Sequence, residues 1–185
     1  GKWTHPPVST VGEGGDLLVE AARGSDAWRV TSYGFVHDSE HALLAPLPRE
    51  AAVEVAFVAG FEAQFDQAGV FLRVADDVWI KAGVEFADGV PQLGAVVTHG
   101  VSDWSVAPVP QWAGRTVTVR ASRSGDAVTI RARADGEGWR LVRVAPFPAG
   151  ADAAAGPFCC APTRAGLSVR FRRWAVGAPD AGLHP

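Results

Sequence analysis

The chain has 185 residues, of which 48% are apolar and 20% charged, a composition typical of a folded globular protein rather than a disordered one. Its formal net charge of −3 gives no electrostatic basis for binding nucleic acid or an anionic membrane surface, so we predict neither as a partner. No apolar stretch approaches the roughly 20 residues that a membrane-spanning helix needs.

The first residues and the two cysteines bear on cellular location. The opening "GKWTHPP" lacks the pattern of a signal peptide, although a signal removed by processing would leave the same start. The only two cysteines, Cys159 and Cys160, are adjacent, which excludes a disulfide framework and a thiolate zinc site of the usual spacing. We therefore predict a cytoplasmic protein, with one of these cysteines buried and the other partly exposed.

Alternation of apolar and polar residues predicts a succession of β-strands along the chain. The segment "HALLAPLP" (41–48) is predicted to be a strand, whereas the alanine-rich segment 149–157 is predicted to be a loop because of its glycines and flanking prolines. No amphipathic helix is evident. The remaining strands are predicted at 51–59, 67–75, 78–86, 115–122, 127–134, 139–145 and 166–174.

Each predicted strand has one apolar and one polar face, as where Val128 alternates with Thr129. Such strands form antiparallel sheets with one buried and one wet face, and two stacked sheets bury both apolar faces. More than ten short strands at this length favour an all-β jelly-roll sandwich. We predict a single domain over 1–185, with a core from about 3 to 174 and a C-terminal tail at 175–185.

The strand at 78–86 has the most unusual polar face, which carries Trp79, Lys81 and Glu85. Gly83 between them leaves a gap where a ligand could approach the backbone. Only two of the 17 basic residues are lysines, so a compact ammonium at this position, rather than a guanidinium, suggests a specific role. Three interpretations stay open: a salt bridge beside a packed tryptophan, a ligand-binding face with the tryptophan as a sugar platform, and catalysis by lysine or carboxylate.

Further polar residues are predicted to lie near this face. Asp66 and Gln67 begin the preceding strand, which a short turn joins to it as a hairpin. The segment "VVTHGVSDWS" (96–105) contributes Thr98 and Trp104, on a predicted loop held by side-chain hydrogen bonds.

Arg143 and His41 complete the predicted set. A lone arginine directed inward needs a carboxylate partner, and Glu85 is the candidate for Arg143. His41 is expected at a strand start, on a polar rim. Its HxxxH spacing with His37 would suit a metal only on a helix, and no Asp/Asn-rich calcium loop is evident beyond the Asp76-Asp77 turn, so we predict no metal and no cofactor.

Ser102, with its neighbours His99 and Asp103, suggests a nucleophilic triad only superficially. No Gly-x-Ser-x-Gly elbow surrounds the serine, and three near neighbours on one loop seldom align as nucleophile, base and orienting group. We predict no triad.

These motifs, taken in order, resemble one family: the domain of unknown function 1349, also labelled the regulation-of-enolase type, in the concanavalin A-like lectin/glucanase superfamily. The resemblance runs from about Trp3 to Trp174 and implies a jelly-roll sandwich with a concave face. Similar Gln-Ala-Gly and Trp-x-Lys strands occur in sandwich domains appended to β-xylosidases. The family has no settled activity, so the resemblance implies fold more than function. The motifs are "DQAG" (66–69), "WIKAGVE" (79–85), "VVT" (96–98), "SDWS" (102–105), Arg143 and "CCAP" (159–162).

The chain departs from the retaining glucanases of that superfamily, which carry Glu-x-Asp-x-x-Glu or Glu-x-Asp-x-Glu on one strand because their mechanism needs two carboxylates about 5 Å apart. No such run occurs here. We therefore predict a lectin-like domain that binds a small saccharide in a concave cleft without cleaving it, and the ion pair suits a sugar acid or sugar phosphate better than a neutral sugar. The predicted ligand-binding residues are Trp79, Lys81, Glu85, Asp66, Gln67, Thr98, His41, Arg143 and Trp104.

Two alternative functions remain. One is an enzyme acting on a sugar derivative, with Glu85 as base and Lys81 as electrostatic stabiliser or Schiff-base amine. The other is a non-catalytic domain that regulates metabolism by binding another protein, which predicts an exposed apolar patch around Trp104 and Trp112.

Overall fold

The protein consists almost entirely of β-strands, as the computed structural model, which describes residues 1–184, shows. The only helical element in that range is a 3-10 turn at Pro110–Trp112, and no helix there is long and apolar enough to cross a membrane. The predicted all-β sandwich of two antiparallel sheets is confirmed. The strands are β1 Lys2–Trp3, β2 Ser9–Glu13, β3 Asp16–Glu20, β4 Ala27–Arg29, β5 Val36–Asp38, β6 His41–Leu47, β7 Ala51–Val58, β8 Gln67–Ala75, β9 Val78–Ala87, β10 Val90–His99, β11 Val101–Pro108, β12 Thr116–Ser124, β13 Ala127–Ala134, β14 Arg140–Pro146, β15 Ala153–Cys160 and β16 Ser168–Gly177.

Within residues 1–184, fourteen strands form two seven-stranded sheets, and the remaining two form a separate hairpin. The front sheet has the order β1-β6-β15-β8-β9-β10-β11, and the back sheet has the order β14-β13-β12-β7-β16-β3-β2. The hairpin β4–β5, which we call the front hairpin, packs on the outer face of the front sheet, because Ala27 and Trp28 share an apolar cluster with front-sheet residues.

The main core lies between the two sheets. From β9, Ile80, Ala82 and Val84 enter it, as the alternation of this strand predicts. Full burial of one aliphatic side chain of this kind stabilises the fold by about 1.5–3 kcal/mol. Because successive side chains point to opposite faces, burial of this parity places Lys81 and Glu85 on the outer face of the front sheet.

The outer face of the front sheet has an apolar cluster of its own, which the sequence alone did not reveal. Phe71, Trp79 and Val96 belong to it, together with Trp28 of the front hairpin. This face is therefore only partly wet, because the hairpin covers part of it.

The segment 149–157, predicted to be a loop, is a strand from Ala153 onwards. β15 lies inside the front sheet between β6 and β8. Its regular pairing with β6 is interrupted around Gly156 and Pro157, which is where a glycine and a proline are tolerated in a sheet interior. A β-carbon at Gly156 would collide with the carbonyl oxygen of Leu43.

The segment 96–105, also predicted to be a loop, forms most of the hairpin β10–β11. Its turn is at Gly100, whose φ of 77° lies in the left-handed region that favours glycine. The first five strands are short and lack long alternation, so the sequence predicted none of them.

Candidate functional site

A pocket of about 290 Å³ opens between the front hairpin and the front sheet. Lys81 and Glu85 of β9 lie at its sheet side, and Trp104 of β11 lies beside them. The front hairpin and the turn before it supply the opposite wall. The lining residues are Gly24, Asp26, Trp28, Tyr33, Phe35, His37, Phe65, Lys81, Glu85, Val96, Trp104, Pro162 and Thr163.

Lys81 is buried, and its ammonium is held by two hydrogen bonds. Nζ donates to Gln67 Oε1 at 2.8 Å and to Asp26 Oδ1 at 3.0 Å. Burial alone would lower the pKa of Lys81, but the negative charges of Asp26 and Glu85 outweigh burial and hold that pKa above its usual value. An ammonium has three donors, so one N–H remains for a ligand in the pocket.

Glu85 is the least satisfied polar group of the pocket. Its Oε2 accepts a hydrogen bond from Gln67 Nε2 at 3.3 Å, whereas its Oε1 is buried and has no hydrogen-bond partner within residues 1–184. Burial raises the pKa of Glu85 to about 7, and the attraction of Lys81 offsets this only in part. A buried carboxylate oxygen without a donor is costly, and a ligand hydroxyl would supply the missing hydrogen bond.

Three glycines form a row across the sheet between Lys81 and Glu85. Gly69, Gly83 and Gly94 are paired in register on β8, β9 and β10. A β-carbon at any of the three would collide with a carbonyl oxygen of a neighbouring strand. The predicted gap at Gly83 is thus part of a small groove in the sheet, and the same glycines allow the backbones to approach closely.

The opposite wall of the pocket is aromatic. The rings of Trp28 and Trp104 meet edge to face at 6.4 Å, and those of Trp28 and Tyr33 do so at 5.8 Å. Tyr33 stacks on Phe35 at 5.1 Å, and Phe35 meets the ring of His37 edge to face at 4.2 Å. Such rings provide apolar plates for the C–H faces of a ligand.

The turn of the front hairpin is strained. Val30 and Ser32 have φ values of 66° and 68°, in the left-handed region that a β-branched residue seldom adopts. Such residues cost of order 1–3 kcal/mol each and are concentrated at functional sites. A hydrogen bond holds the hairpin to β11: the backbone N–H of Arg29 donates to Ser102 Oγ at 2.9 Å.

Of the nine predicted site residues, Lys81, Glu85, Gln67 and Trp104 lie together. Trp104 is 41% exposed and lines the pocket. Trp79, predicted to be the sugar platform, does not line the pocket. Its indole is only 4% exposed because it stacks on Phe71 at 5.4 Å.

Asp66, Thr98 and His41 are buried away from the pocket lining. Asp66 accepts hydrogen bonds from the guanidinium of Arg164 and from the backbone N–H groups of residues 62 and 63, so it fixes a loop. Thr98 Oγ1 is 2.8 Å from Ser102 Oγ, and this pair supports the hairpin contact described above. Asp66 and Thr98, predicted as ligand contacts, thus bond to other parts of the protein and do not line this pocket.

His41 begins β6, as predicted, but faces the inside of the sandwich rather than a polar rim. Its strand partner Cys159 belongs to the main core. Nε2 accepts a hydrogen bond from the Ala22 N–H at 3.0 Å, and Nδ1 donates to the His5 carbonyl at 3.0 Å. Both ring nitrogens are therefore occupied, which leaves none for a metal with His37. Burial lowers the pKa of His41, in keeping with a neutral ring.

Arg143 does not pair with Glu85. Its guanidinium donates to Asp103 and Ser105 of β11, on the rim where β14 approaches that strand. Asp103 is thereby separated from any triad, and His99 instead contacts the Pro146 carbonyl through Nε2 at 3.1 Å.

Trp112 and the cysteines also differ from expectation. Trp112 is fully buried in the main core, so the predicted exposed patch around Trp104 and Trp112 does not exist in that form. Cys159 and Cys160 are both buried, and burial raises the pKa of Cys159 to about 12.

Sequence reasoning missed the front hairpin. Asp26, Trp28, Tyr33 and Phe35 line the pocket but lie on strands of three residues or in turns. The density of aromatic residues between 28 and 35 is the one local signal that could have identified this segment.

With this geometry, the family can be stated. The chain belongs to the family described as protein of unknown function (DUF1349), whose model matches residues 3–179, and the predicted family is confirmed. A curated relative, Regulation of enolase protein 1 of Saccharomyces cerevisiae, is 37% identical over 179 residues, which cover 97% of this chain and 90% of the relative.

Two solved structures have a similar fold. A crystal structure of a functionally unknown protein from Saccharomyces cerevisiae has a TM-score of 0.91 at 36% identity and covers 97% of each chain. The xylan β-1,4-xylosidase from Bacillus halodurans has a TM-score of 0.68 at 14% identity, over 89% of this chain and 33% of that one. The second match shows the sandwich fold alone.

Proposed function

We propose that the pocket binds a small saccharide without cleaving it. The observation that carries the proposal is the buried Glu85 Oε1, which has no hydrogen-bond donor within residues 1–184 and lies in a pocket with aromatic walls. A sugar would supply a hydroxyl to this oxygen and its C–H face to Trp104 or Tyr33. The fold of the xylosidase match is in keeping with this proposal.

The charges of the pocket favour a neutral sugar. The sequence-based preference for a sugar acid or phosphate assumed that Lys81 was available, but Asp26 and Gln67 already occupy two of its three donors. Asp26 and Glu85 also place two carboxyl groups against one ammonium, which disfavours an anionic ligand. The volume of about 290 Å³ lies at the lower end of the range for ligand pockets and suits one or two sugar rings.

The test is a thermal-shift screen followed by calorimetric titration of each hit. The panel contains neutral mono- and disaccharides, uronic acids and sugar phosphates. A ligand at 100 times its Kd should stabilise the protein by about 2.7 kcal/mol. The titration with each hit is repeated on two variants. Glu85→Gln replaces the carboxylate whose Oε1 has no hydrogen-bond donor, and Trp104→Ala removes the aromatic ring proposed to pack on the sugar.

Trp139→Ala is the matched control for Trp104→Ala. Trp139 is similarly exposed, at 37%, but stacks under Arg133 outside the pocket. We expect a neutral sugar to stabilise the native protein and the control but neither pocket variant. If no sugar stabilises the native protein, or if Trp104→Ala binds as well as Trp139→Ala, the proposal fails.

A second candidate, a protein-interaction domain, is favoured by the surface of the front hairpin. Tyr33 and Val36 are at least half exposed, and Val101, the first residue of β11, is 54% exposed. The curated relative is named as a regulator of enolase, which suggests a protein partner for this chain too. The test is pull-down of purified enolase with the native protein and with Val36→Ser. Retention by the native protein alone supports this candidate, and no retention by either excludes enolase.

A further inference from the structure

His5, Asp38 and Glu40 form a compact cluster outside the pocket lining. They come from three segments: the turn after β1, the last residue of β5, and the residue before β6. One donor atom from each residue can be chosen so that all three lie within 4.8 Å of one another. His5 Nδ1 and Glu40 Oε1 are 3.9 Å apart.

Glu40 is the unusual member of the cluster because its side chain is almost fully buried. The residue is 2% exposed, and within residues 1–184 its one ion-pair partner closer than 4.0 Å is the imidazole of His5, which is charged only when protonated. Burial raises the pKa of Glu40, and the negative charge of Asp38 adds to this effect. A buried carboxylate beside a second carboxylate needs a compensating positive charge.

We propose that His5, Asp38 and Glu40 bind a divalent transition-metal ion of the zinc type. One imidazole nitrogen and two carboxylate oxygens are a donor set that Zn²⁺ accepts, and the imidazole disfavours Ca²⁺ and Mg²⁺. A tetrahedral ion with ligand distances near 2.1 Å needs donors about 3.4 Å apart, so the cluster, whose donor atoms lie within 4.8 Å of one another, would have to contract. Nδ1 of His5 donates to the Glu40 carbonyl at 2.9 Å, so the ion would bind the ring through Nε2 or would displace this hydrogen bond. Three protein ligands leave a fourth position open.

The position of the cluster gives the metal a structural consequence. Asp38 ends the front hairpin, whereas Glu40 leads into β6 of the front sheet and His5 follows β1. The backbone carbonyl of Glu40 already contacts Thr4 Oγ1 at 2.8 Å and His5 Nδ1 at 2.9 Å. A bound ion would therefore fix the end of the hairpin to the edge of the front sheet.

The test is calorimetric titration of EDTA-treated, dialysed protein with ZnCl₂ and, in parallel, with CaCl₂. His5→Ala and Asp38→Asn each remove one ligand at a residue that is not fully buried, and the melting temperature of each metal-free variant shows whether it folds. His99→Ala is the matched control, because His99 is exposed and contacts only a backbone carbonyl in the β14 region. Absorption of bound Co²⁺ in the visible range reports the coordination directly.

We expect one Zn²⁺ per chain, with Ca²⁺ binding much more weakly. The affinity should fall by at least about 10-fold in His5→Ala and in Asp38→Asn, because even the loss of an outer partner of a metal ligand costs that much. It should be unchanged in His99→Ala. The proposal is overturned if the native protein binds no Zn²⁺ at this stoichiometry, or if both ligand variants bind as the native protein does. Binding that survives in these variants and disappears in Cys160→Ser would assign the ion to the cysteines instead.

Discussion

The pKa of Glu85 makes the stability of the protein depend on pH in a direction that Glu85→Gln should remove. The carboxyl group has a pKa of about 7 in the folded protein against 4.5 when unperturbed. That difference corresponds to about 3 kcal/mol between its two protonation states. Because the pKa is raised by folding, the folded state binds the proton more tightly than the unfolded chain does. The contribution is therefore fully present below about pH 4.5 and is lost as the pH rises through about 7.

The assay is urea denaturation at half-unit intervals from pH 4.5 to 8.5, with native protein and Glu85→Gln measured side by side. The free energy of unfolding of Glu85→Gln minus that of the native protein should increase by about 3 kcal/mol across this range. Titrating groups that are not coupled to Glu85 cancel in the difference. His41, for example, has a lowered pKa and changes stability in the opposite direction, but equally in both proteins.

Glu62→Gln is the control, because it makes the same substitution at an exposed side chain. Its difference from the native protein should change far less with pH than that of Glu85→Gln. Parallel curves for Glu85→Gln and the native protein would refute the reasoning, since they would mean that Glu85 is not desolvated in the folded state. If the free energy of unfolding of the native protein rises with pH relative to that of Glu85→Gln, the predicted direction of the pH dependence is wrong.

Three further substitutions test the construction of the site. Lys81→Met removes the ammonium from the carboxylates around it and should lower the free energy of unfolding, measured by urea denaturation, by about 3–5 kcal/mol. A loss below about 1 kcal/mol would contradict the buried ion pair. Gly83→Ala should lower the free energy of unfolding by about 1–3 kcal/mol because the added β-carbon would collide with a neighbouring carbonyl oxygen. Gly12→Ala is the control and should change the melting temperature little, because a β-carbon at Gly12 would meet no atom within 4 Å. Trp79→Ala should lower the free energy of unfolding by about 3–5 kcal/mol because the Trp79 ring is packed. Trp104→Ala should change stability far less and should weaken ligand binding instead. Equal losses of stability in the two variants would argue against these separate roles.

The fold was predictable because its main signal is local. Alternation with a period of two fixed which face of β9 is buried, and the same signal identified the strands of most of the back sheet. It failed at β15, where Gly156 and Pro157 indicated a loop but lie at an interruption of pairing inside the sheet. It also failed at β10, which is buried on both faces and therefore shows little alternation.

The site was predictable only in part because its contacts join distant parts of the chain. Lys81 and Glu85 could be found because they interrupt an apolar strand, but Asp26, which binds Lys81, lies 55 residues away. Trp79 shows the limit of parity arguments. Alternation correctly placed it on the same face as Lys81, but it could not show that Phe71 covers its ring there.

Asp26 and Glu85 place two carboxyl groups in one pocket, which raises the question of glycoside hydrolysis. Glu85, with a pKa of about 7, has the protonation expected of a general acid. Hydrolysis also needs a second carboxylate that is available as nucleophile or base. Asp26 Oδ1 instead accepts hydrogen bonds from Lys81 Nζ at 3.0 Å and from the Ala27 N–H at 2.8 Å, so this oxygen is already engaged. On the proposal that the pocket binds a sugar without cleaving it, we expect a bound disaccharide to be recovered intact after prolonged incubation. Release of reducing sugar that disappears in Asp26→Asn would show instead that Asp26 acts as the second carboxylate.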